Sequence, residues 1–468
     1  MCIPTGGRGS RRAEASTDID VSSWFDIVSG EHGLTEDGKT VAHIISKAQR
    51  PVHRKHSIVT CLHQTSLALP WKIFAARDES NDSDNEKLST TSSTTETSKG
   101  SNPIEAPSQN RFVFVDGLRG LAALGIVIFH IWWYEPEPWP ALESAHWIVD
   151  AAFYRIRVSV QILLVISGFV IAYTMRNTWV TPRELISFIG RRLVRLVPPY
   201  WVAIGVVILV DLFGRGYWGL SSPFDGELSI FRVSAHLAFL QDAIGFEALG
   251  AGMWTICIEM QFYIVAILGW GLAQCLFPRP IPNEPRPSVA GILVVFAPVA
   301  FVSLFYWRQL ESTSPWVIHF AWMFFLGMVT WWTLDRTLPV SCYAAIAVIA
   351  AVELVFDVEW RNENAVALAT SLAIFIAGRR NRLHQWLNWP WLQYLGRISY
   401  SLYLIHFPVC HLLTSAGWKW YSKTPTAIQA GTLLVASLFA SLCAAHVLYV
   451  YVEAPSARLS GKLKRLTA

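Results

Sequence analysis

From about residue 111 onward the chain is a succession of apolar runs, each near the roughly 20 residues that cross a bilayer as a helix, with short polar breaks between them. A lipid bilayer is therefore the solvent this sequence is written for. A segment without water around it must satisfy its own backbone N–H and C=O groups, and a helix does so. Composition agrees: hydrophobic residues fill 53% of 468 positions and charged residues 15%, which excludes an ordinary water-soluble multi-domain protein. The predicted fold is all-α, a polytopic transmembrane helix bundle of about ten spans. They are placed at 113–134, 158–176, 198–213, 254–276, 289–307, 316–334, 339–356, 365–378, 398–416 and 427–451.

Residues 1–110 differ from all that follows. The tract at 78–103, "DESNDSDNEKLSTTSSTTETSKGSNP", is built from Ser, Thr, Asp, Asn and Glu and offers nothing to make a core. The predicted organisation is a disordered cytoplasmic N-terminal extension at 1–110, a membrane domain at 111–458 and a basic cytoplasmic tail at 459–468.

A net charge of +4 is too small to point to nucleic acid, and no nucleic-acid partner is expected. Where the charge sits says more. Arg176, Arg183, Arg191, Arg192 and Arg195 lie between the second and third runs. Arg379, Arg380, Arg382 and Arg397 lie between the eighth and ninth, and Arg458, Lys462, Lys464 and Arg465 follow the last. The positive-inside rule puts all three groups in the cytoplasm, so both termini are predicted to be cytoplasmic. Glu135, Glu137, Glu143, Asp150, Asp225, Glu227, Asp242, Glu247, Asp357, Glu359 and Glu363 fall in the alternate loops. The stretch at 214–253 is too polar and Gly-rich for a full span and is expected to form a short lid or re-entrant piece over an outer opening. The seven cysteines form no CxxC pair and lie mostly inside apolar runs, so they read as packing residues, and no metal is expected.

An ionisable side chain at mid-bilayer costs roughly 2.5 to 3.5 kcal/mol on insertion scales, so each one retained needs a partner or a task. In "DGLRGLAALGIVIFH", residues 116–130, Arg119 and His130 are separated by a helical rise of about 16 Å, and their eleven-residue spacing returns to within about 20° of the same face. In "GRRLVRLVPPY", residues 190–200, Arg192 and Arg195 share a helical face, and Pro198 and Pro199 are expected to fix how the chain starts its next span. Two readings stay open for these arginines: a clamp for phosphates, or topology-setting residues that touch lipid head groups.

"GMWTICIEMQFYIV", residues 252–265, stacks Thr255, Glu259 and Tyr263 one turn apart. This polar stripe reads either as an interhelical hydrogen-bond anchor or as part of a site. "LGRISYSLYLIHFPVC", residues 395–410, aligns Ser399, Tyr403, His406 and Cys410 on one face. His406 reads as structural or catalytic, and Pro408 frees a backbone carbonyl for a nearby donor. Glu453, in "YVEAPSARL", closes the last span near the arginines. His319 and His446 have no comparable polar neighbours and read as packing or interface residues.

Taken in this order, these stretches resemble the acyltransferase-3 family of integral membrane O-acyltransferases. "DGLRGLAALGIVIFH" resembles the family's Arg-x10-His first span, "ISGFVIAY" its second and "RRLVRLVPPYW" its Arg-rich loop. "MWTICIEMQFY" resembles its W-T/S-x3-E block, "GRISYSLYLIHFPV" its penultimate span and "YVEAPSARL" its closing E-x-P. The resemblance covers 111–458. It implies an acyl-CoA donor, acetyl-CoA by default, used as a co-substrate from the cytoplasm. It also implies a hydroxyl-bearing acceptor: a sugar, a lipid-linked sugar or a small molecule.

On that reading His130 is the general base, with Glu259 orienting or charging it if their helices pack together. Arg119, Arg192 and Arg195 hold the donor's phosphates, and Asp116, Thr255, Tyr263, Ser399, Tyr403 and His406 line the site. The sequence departs from the family in two places. Met260 follows Glu259 where a second Glu is common, so Glu259 acts alone. Gln161, Leu163 and Leu164 stand where Asp and a Phe pair are common, which alters the substrate-side wall. The alternative reading is a proton-coupled membrane transporter, since buried Glu and His on several helices also describe a proton relay.

Overall fold

In the computed structural model every apolar run placed above is helical. In chain order the helices are α1 (Val113–Trp133), α2 (Ser159–Met175), α3 (Pro182–Trp218), α4 (Ile230–Leu237), α5 (Met253–Leu276) and α6 (Val289–Phe305). There follow α7 (Ala321–Leu334), α8 (Val340–Phe356), α9 (Arg361–Arg379), α10 (Pro390–Trp420), α11 (Ala427–Leu448) and α12 (Ala454–Thr467). Short 3-10 turns at Trp307–Gln309 and Val317–His319 join α6 to α7, and a π turn at Tyr449–Glu453 joins α11 to α12. No strand occurs among the described residues.

The structure describes residues 112–133, 156–224, 226–277, 288–310, 312, 314–356, 361–421 and 426–467, all within the unit Thr60–Ala468. The extension at 1–110 and the acidic residues Glu135, Glu137, Glu143, Asp150, Asp225, Asp357 and Glu359 lie outside them. By length and composition, α1, α3, α5, Val289–Gln309 and Ala427–Leu463 are each able to cross a membrane, and α2, α7 and α8 are apolar but shorter. The chain is a multi-pass, membrane-embedded protein.

Two helix crossings are drawn tight by glycine. A Cβ on Gly396 of α10 would lie 2.4 Å from the Asp116 carbonyl oxygen of α1, and one on Gly120 of α1 would lie 2.7 Å from the Leu392 carbonyl oxygen of α10. Only bare backbone lets these helices come so close. Gly168 of α2 and Gly327 of α7 form a second crossing, each pressed on the other helix's carbonyls. Along the first seam the Gln393 side-chain amide donates to the Val113 carbonyl at 2.9 Å, and contacts on the two helices advance together, so α1 and α10 run parallel.

Pro198 and Pro199 do not set the start of a span, as the sequence had suggested. They sit inside a continuous α3 that begins at the Thr181 N-cap, whose side chain accepts from the Glu184 N–H at 3.2 Å, and ends at a left-handed Gly219. Proline removes a helical donor, here from the carbonyls of Val194 and Arg195, and neighbouring helices allow a membrane helix to continue through it. Beside these positions the Tyr400 hydroxyl of α10 donates to the Leu196 carbonyl at 2.7 Å. The basic segment after 458 is likewise helical, part of α12, which packs along α3 with the Ser460 hydroxyl donating to the Arg191 carbonyl at 2.8 Å.

The stretch expected to form a lid contains α4, capped by Ser229, whose side chain accepts from the Arg232 N–H at 3.1 Å. Buried Arg232 ties α4 to the loop that leads into α5 by donating from Nε and Nη2 to the Glu247 carbonyl at 3.2 and 3.0 Å. His236 is bonded on both sides: Nε2 accepts from the Leu249 N–H at 2.9 Å, and Nδ1 lies 2.8 Å from the Arg232 carbonyl. The ring is thus neutral with its proton on Nδ1. Burial pushes its pKa down to about 4.

Gly396→Val is expected to wedge α1 from α10 and destabilise the protein by about 1–3 kcal/mol through overpacking. Gly190→Ala, whose added Cβ meets nothing within 4 Å, is expected to be neutral or to stabilise by up to about 1 kcal/mol through helix propensity. Equal melting of the two variants in detergent would refute the seam. The α4 segment has its own signature. Between about pH 6.5 and about 4 the unfolded His236 binds a proton that the folded ring refuses, so the stability of the α4 segment is full above this window and falls as pH drops through it. The protection factor of the Leu249 amide, its exchange rate taken relative to the intrinsic rate at each pH, should fall as pH drops over that range in the wild type, and His236→Gln should flatten the dependence; identical profiles would reject the assignment.

Candidate active site

The polar face foreseen on α10 is present, and each member has a partner on another helix. Arg119 of α1 donates from Nη2 to Ser399 Oγ at 2.9 Å, and that hydroxyl passes its own proton to the Gly396 carbonyl at 3.0 Å. One turn further along, Tyr403 meets Thr255 of α5 at 2.7 Å. Thr255 spends its proton on the Gly252 carbonyl at 2.8 Å, so the Tyr403 hydroxyl is the donor of the pair. Beyond it the His406 ring lies against His130 of α1, with Nε2 and Nδ1 2.9 Å apart and ring centroids 5.0 Å apart. Cys410 continues the row to Ser441 of α11 at 3.3 Å.

Arg119 and His130 therefore do share a face, and that face is buried: 1% and 6% of the two residues is exposed. Asp116, one turn before Arg119, is buried beside it and is its largest electrostatic attraction. The carbonyl used by His406 is not the one Pro408 frees. Pro408 strips the helical donor from the Leu404 carbonyl, whereas His406 Nδ1 lies 3.0 Å from the Leu402 carbonyl.

A second group lies where α3 and α5 approach. Arg192 and Arg195 are buried in the bundle, which corrects their placement in a cytoplasmic loop: the loop ends before Pro182, and α3 carries both arginines into the packed interior. The Arg192 guanidinium lies over the Tyr263 ring, 4.3 Å from its centroid, and 5.2 Å from that of Phe188. The Tyr263 hydroxyl donates to Glu259 Oε1. Arg192, Arg119 and Arg195 are the cations that act on the Glu259 carboxyl. No hydrogen bond joins Glu259 to His130 among the described residues; His130 takes its partner from α10 instead.

The interior keeps unused capacity at this place. Arg195 is 3% exposed and makes no hydrogen bond or ion pair among the described residues. Glu259 Oε2 and Trp254 Nε1 are also buried without a hydrogen-bond partner there. Glu453, in the π turn, is the largest attraction on Arg195 but gives its own bond to α10, accepting from Ser401 Oγ at 2.7 Å and from the Ser401 N–H at 3.3 Å. Buried polar groups are nearly always satisfied, so a set left open marks a place for a bound group.

Sequence reasoning missed Ser401, which looks like any small residue in an apolar helix. It also missed a buried ionic knot in which Glu363 of α9 accepts from Arg308 Nη2 at 2.5 Å and Gln161 Nε2 of α2 at 2.9 Å. The oddity of Gln161 was the available signal. His446, read as lacking polar company, has the Tyr394 hydroxyl 2.6 Å from its Nδ1.

Comparison with known proteins gives one consistent picture. The family described as an acyltransferase domain matches residues 112–449. BcsY of Komagataeibacter xylinus, named as a membrane-bound transacylase, is 26% identical over 74% of this chain and 83% of its own length. ExoZ of Rhizobium meliloti, an exopolysaccharide production protein, is 28% identical over 69% of this chain and 94% of its own. OatA of Listeria monocytogenes, a peptidoglycan O-acetyltransferase, is 22% identical over 64% of this chain but only 49% of its own. No solved structure matches the chain.

The Tyr403 to Thr255 bond offers a direct test of how α5 is held to α10. A double-mutant cycle of Tyr403→Phe and Thr255→Val should show a coupling of about 1 kcal/mol in unfolding free energy, the net worth of a buried neutral hydrogen bond. Additive losses would mean that the two hydroxyls do not see each other.

Proposed function

We propose that this chain, which belongs to the acyltransferase family and is an acyltransferase, moves an acetyl group from acetyl-CoA to a hydroxyl of a saccharide acceptor, with His130 as general base. The observation that carries the reading is Arg195: a guanidinium almost wholly buried, next to Arg192 and Arg119, yet engaged in no hydrogen bond or ion pair among the described residues. A cation held in that way is matched to an anion that arrives from outside. The phosphates of an acyl-CoA fit it, because guanidinium offers planar, multidentate donors to phosphate. Arg119, on the same face as His130 and about 16 Å along the helix, sets the distance between a phosphate and the reacting end.

A thioester is already activated, so the protein's own task is limited. His130 removes the proton from the acceptor hydroxyl as its oxygen attacks the acyl carbon, and then returns that proton to the departing sulfur. Glu259 has another part. Bonded by Tyr263 and set among the arginines, it balances their charge until a donor arrives, in keeping with its bond to Tyr263 rather than to His130. Asp116, Thr255, Tyr263, Ser399, Tyr403 and His406 hold these groups in place. The saccharide acceptor is suggested by the printed roles of ExoZ and OatA in exopolysaccharide production and peptidoglycan O-acetylation.

The topology in this reading has ten crossings, made by α1 to α3 and α5 to α11, with both termini cytoplasmic. Exposed Arg183, Arg379, Arg380, Arg382, Arg397, Arg458 and Lys462 then share the cytoplasmic side. The transporter alternative gives no reason for an acyl-CoA site.

Purified protein incubated with labelled acetyl-CoA and polysaccharide or peptidoglycan fragments should yield an O-acetylated product by mass spectrometry. His130→Gln should lower turnover by about 10²- to 10⁴-fold, the usual worth of a positioned base, while donor binding persists. Arg195→Gln should instead weaken saturable acetyl-CoA binding by about tenfold or more, the loss of one charge-assisted contact. Donor affinity indifferent to Arg195 would remove coenzyme A from the proposal.

A further inference from the structure

We propose that His406 fixes the tautomer of His130, so that the lone pair of the base sits on Nε2 and His406 acts as its positioning residue. The inference rests on the reading of His130 as the base and follows from the proton count along one row of atoms. The Leu402 carbonyl can only accept, so His406 Nδ1, 3.0 Å away, carries a proton. A neutral imidazole has one N–H, which leaves Nε2 of His406 as an acceptor. The 2.9 Å contact between that nitrogen and His130 Nδ1 then requires the His130 proton to be on Nδ1. Nε2 of His130 keeps the lone pair.

The count holds only if His406 is neutral. Its ring is fully buried, both of its nitrogens are occupied by Leu402 and His130, and no carboxylate bonds it, so a charge on it would have no counter-charge. The backbone carbonyl of α10 is thus the fixed end of a short relay, and the parallel α1 to α10 seam sets its length.

During transfer the acceptor O–H proton moves to His130 Nε2, the new C–O bond forms, the C–S bond of the thioester breaks, and the same proton leaves Nε2 for the sulfur. His130 Nδ1–H continues to donate to His406 throughout, so His406 neither gains nor loses a proton. A neutral imidazole orients the base without stabilising its cation by a full charge. Its loss should therefore cost less than the roughly 10⁴-fold seen when the orienting carboxylate of a Ser-His-Asp triad is replaced and the tautomer is wrong.

Two measurements test this. In the wild-type protein labelled with ¹⁵N-histidine, and with His130→Gln to assign the signal, the His130 ring should show a protonated Nδ1 and an unprotonated Nε2. A protonated Nε2 on neutral His130 would overturn the proposal, and that measurement needs no His406 variant to fold. In kinetics, His406→Leu should lower kcat by about 10²-fold with donor KM changed less than about threefold, while His406→Gln, whose amide oxygen can accept from Nδ1–H, should remain within about tenfold of wild type. Equal kcat for folded His406→Leu and wild type would also overturn it. A His130→Gln enzyme that keeps full turnover would sink the base assignment but leave the tautomer result standing, so the two failures are distinguishable.

Discussion

The bare-backbone contact of α1 with α10 at Gly120 and Gly396 is the constraint from which the rest of the site is measured. In lipid there is no hydrophobic force to press helices together, so close packing and interhelical hydrogen bonds must do it. Because the two helices run parallel from this contact, Arg119 comes opposite Ser399 and His130 opposite His406. A side chain at either glycine would move every pair in the row at once.

Charge is handled in two ways within one bundle. Around Glu363 the accounting is local: Arg308 and Gln161 bond the carboxylate directly, and the knot braces α2, α9 and the turn after α6. Around Glu259 it is not. Three guanidinium groups and the carboxyls of Glu259, Glu453 and Asp116 influence one another across space, and among the described residues Glu259 Oε2 and Trp254 Nε1 remain open. The first arrangement adds rigidity; the second withholds stability that a bound anion would restore, the pattern expected where function overrides packing.

The surroundings of His130, the proposed base, follow the same division. Its orientation is delegated to a neutral imidazole and a backbone carbonyl, while the carboxylate stays with the arginines. In the proposed mechanism this separates proton transfer from donor binding along the bundle.

Much of this was legible in the residues alone. Apolar runs near bilayer length dictated helices, since lipid permits little else, and the 3.6-residue repeat put Arg119 with His130 and Ser399 with Tyr403 and His406 on single faces. The cost of burying ionisable groups singled out His130 and Glu259 before any fold was known, and a shared helical face paired Arg192 with Arg195. Partnership was another matter. His130 and His406 are 276 positions apart and Arg119 and Ser399 are 280 apart, and periodicity within a helix carries no information about which faces meet across such distances. Tertiary packing alone gave His130 an imidazole in place of a carboxylate, because the glycine seam joins α1 to α10. It alone drew Arg192 and Arg195 inside, because α3 continues through two prolines and packs against α10 and α12. A sequence specifies which side chains must be satisfied; only the assembled bundle decides by whom.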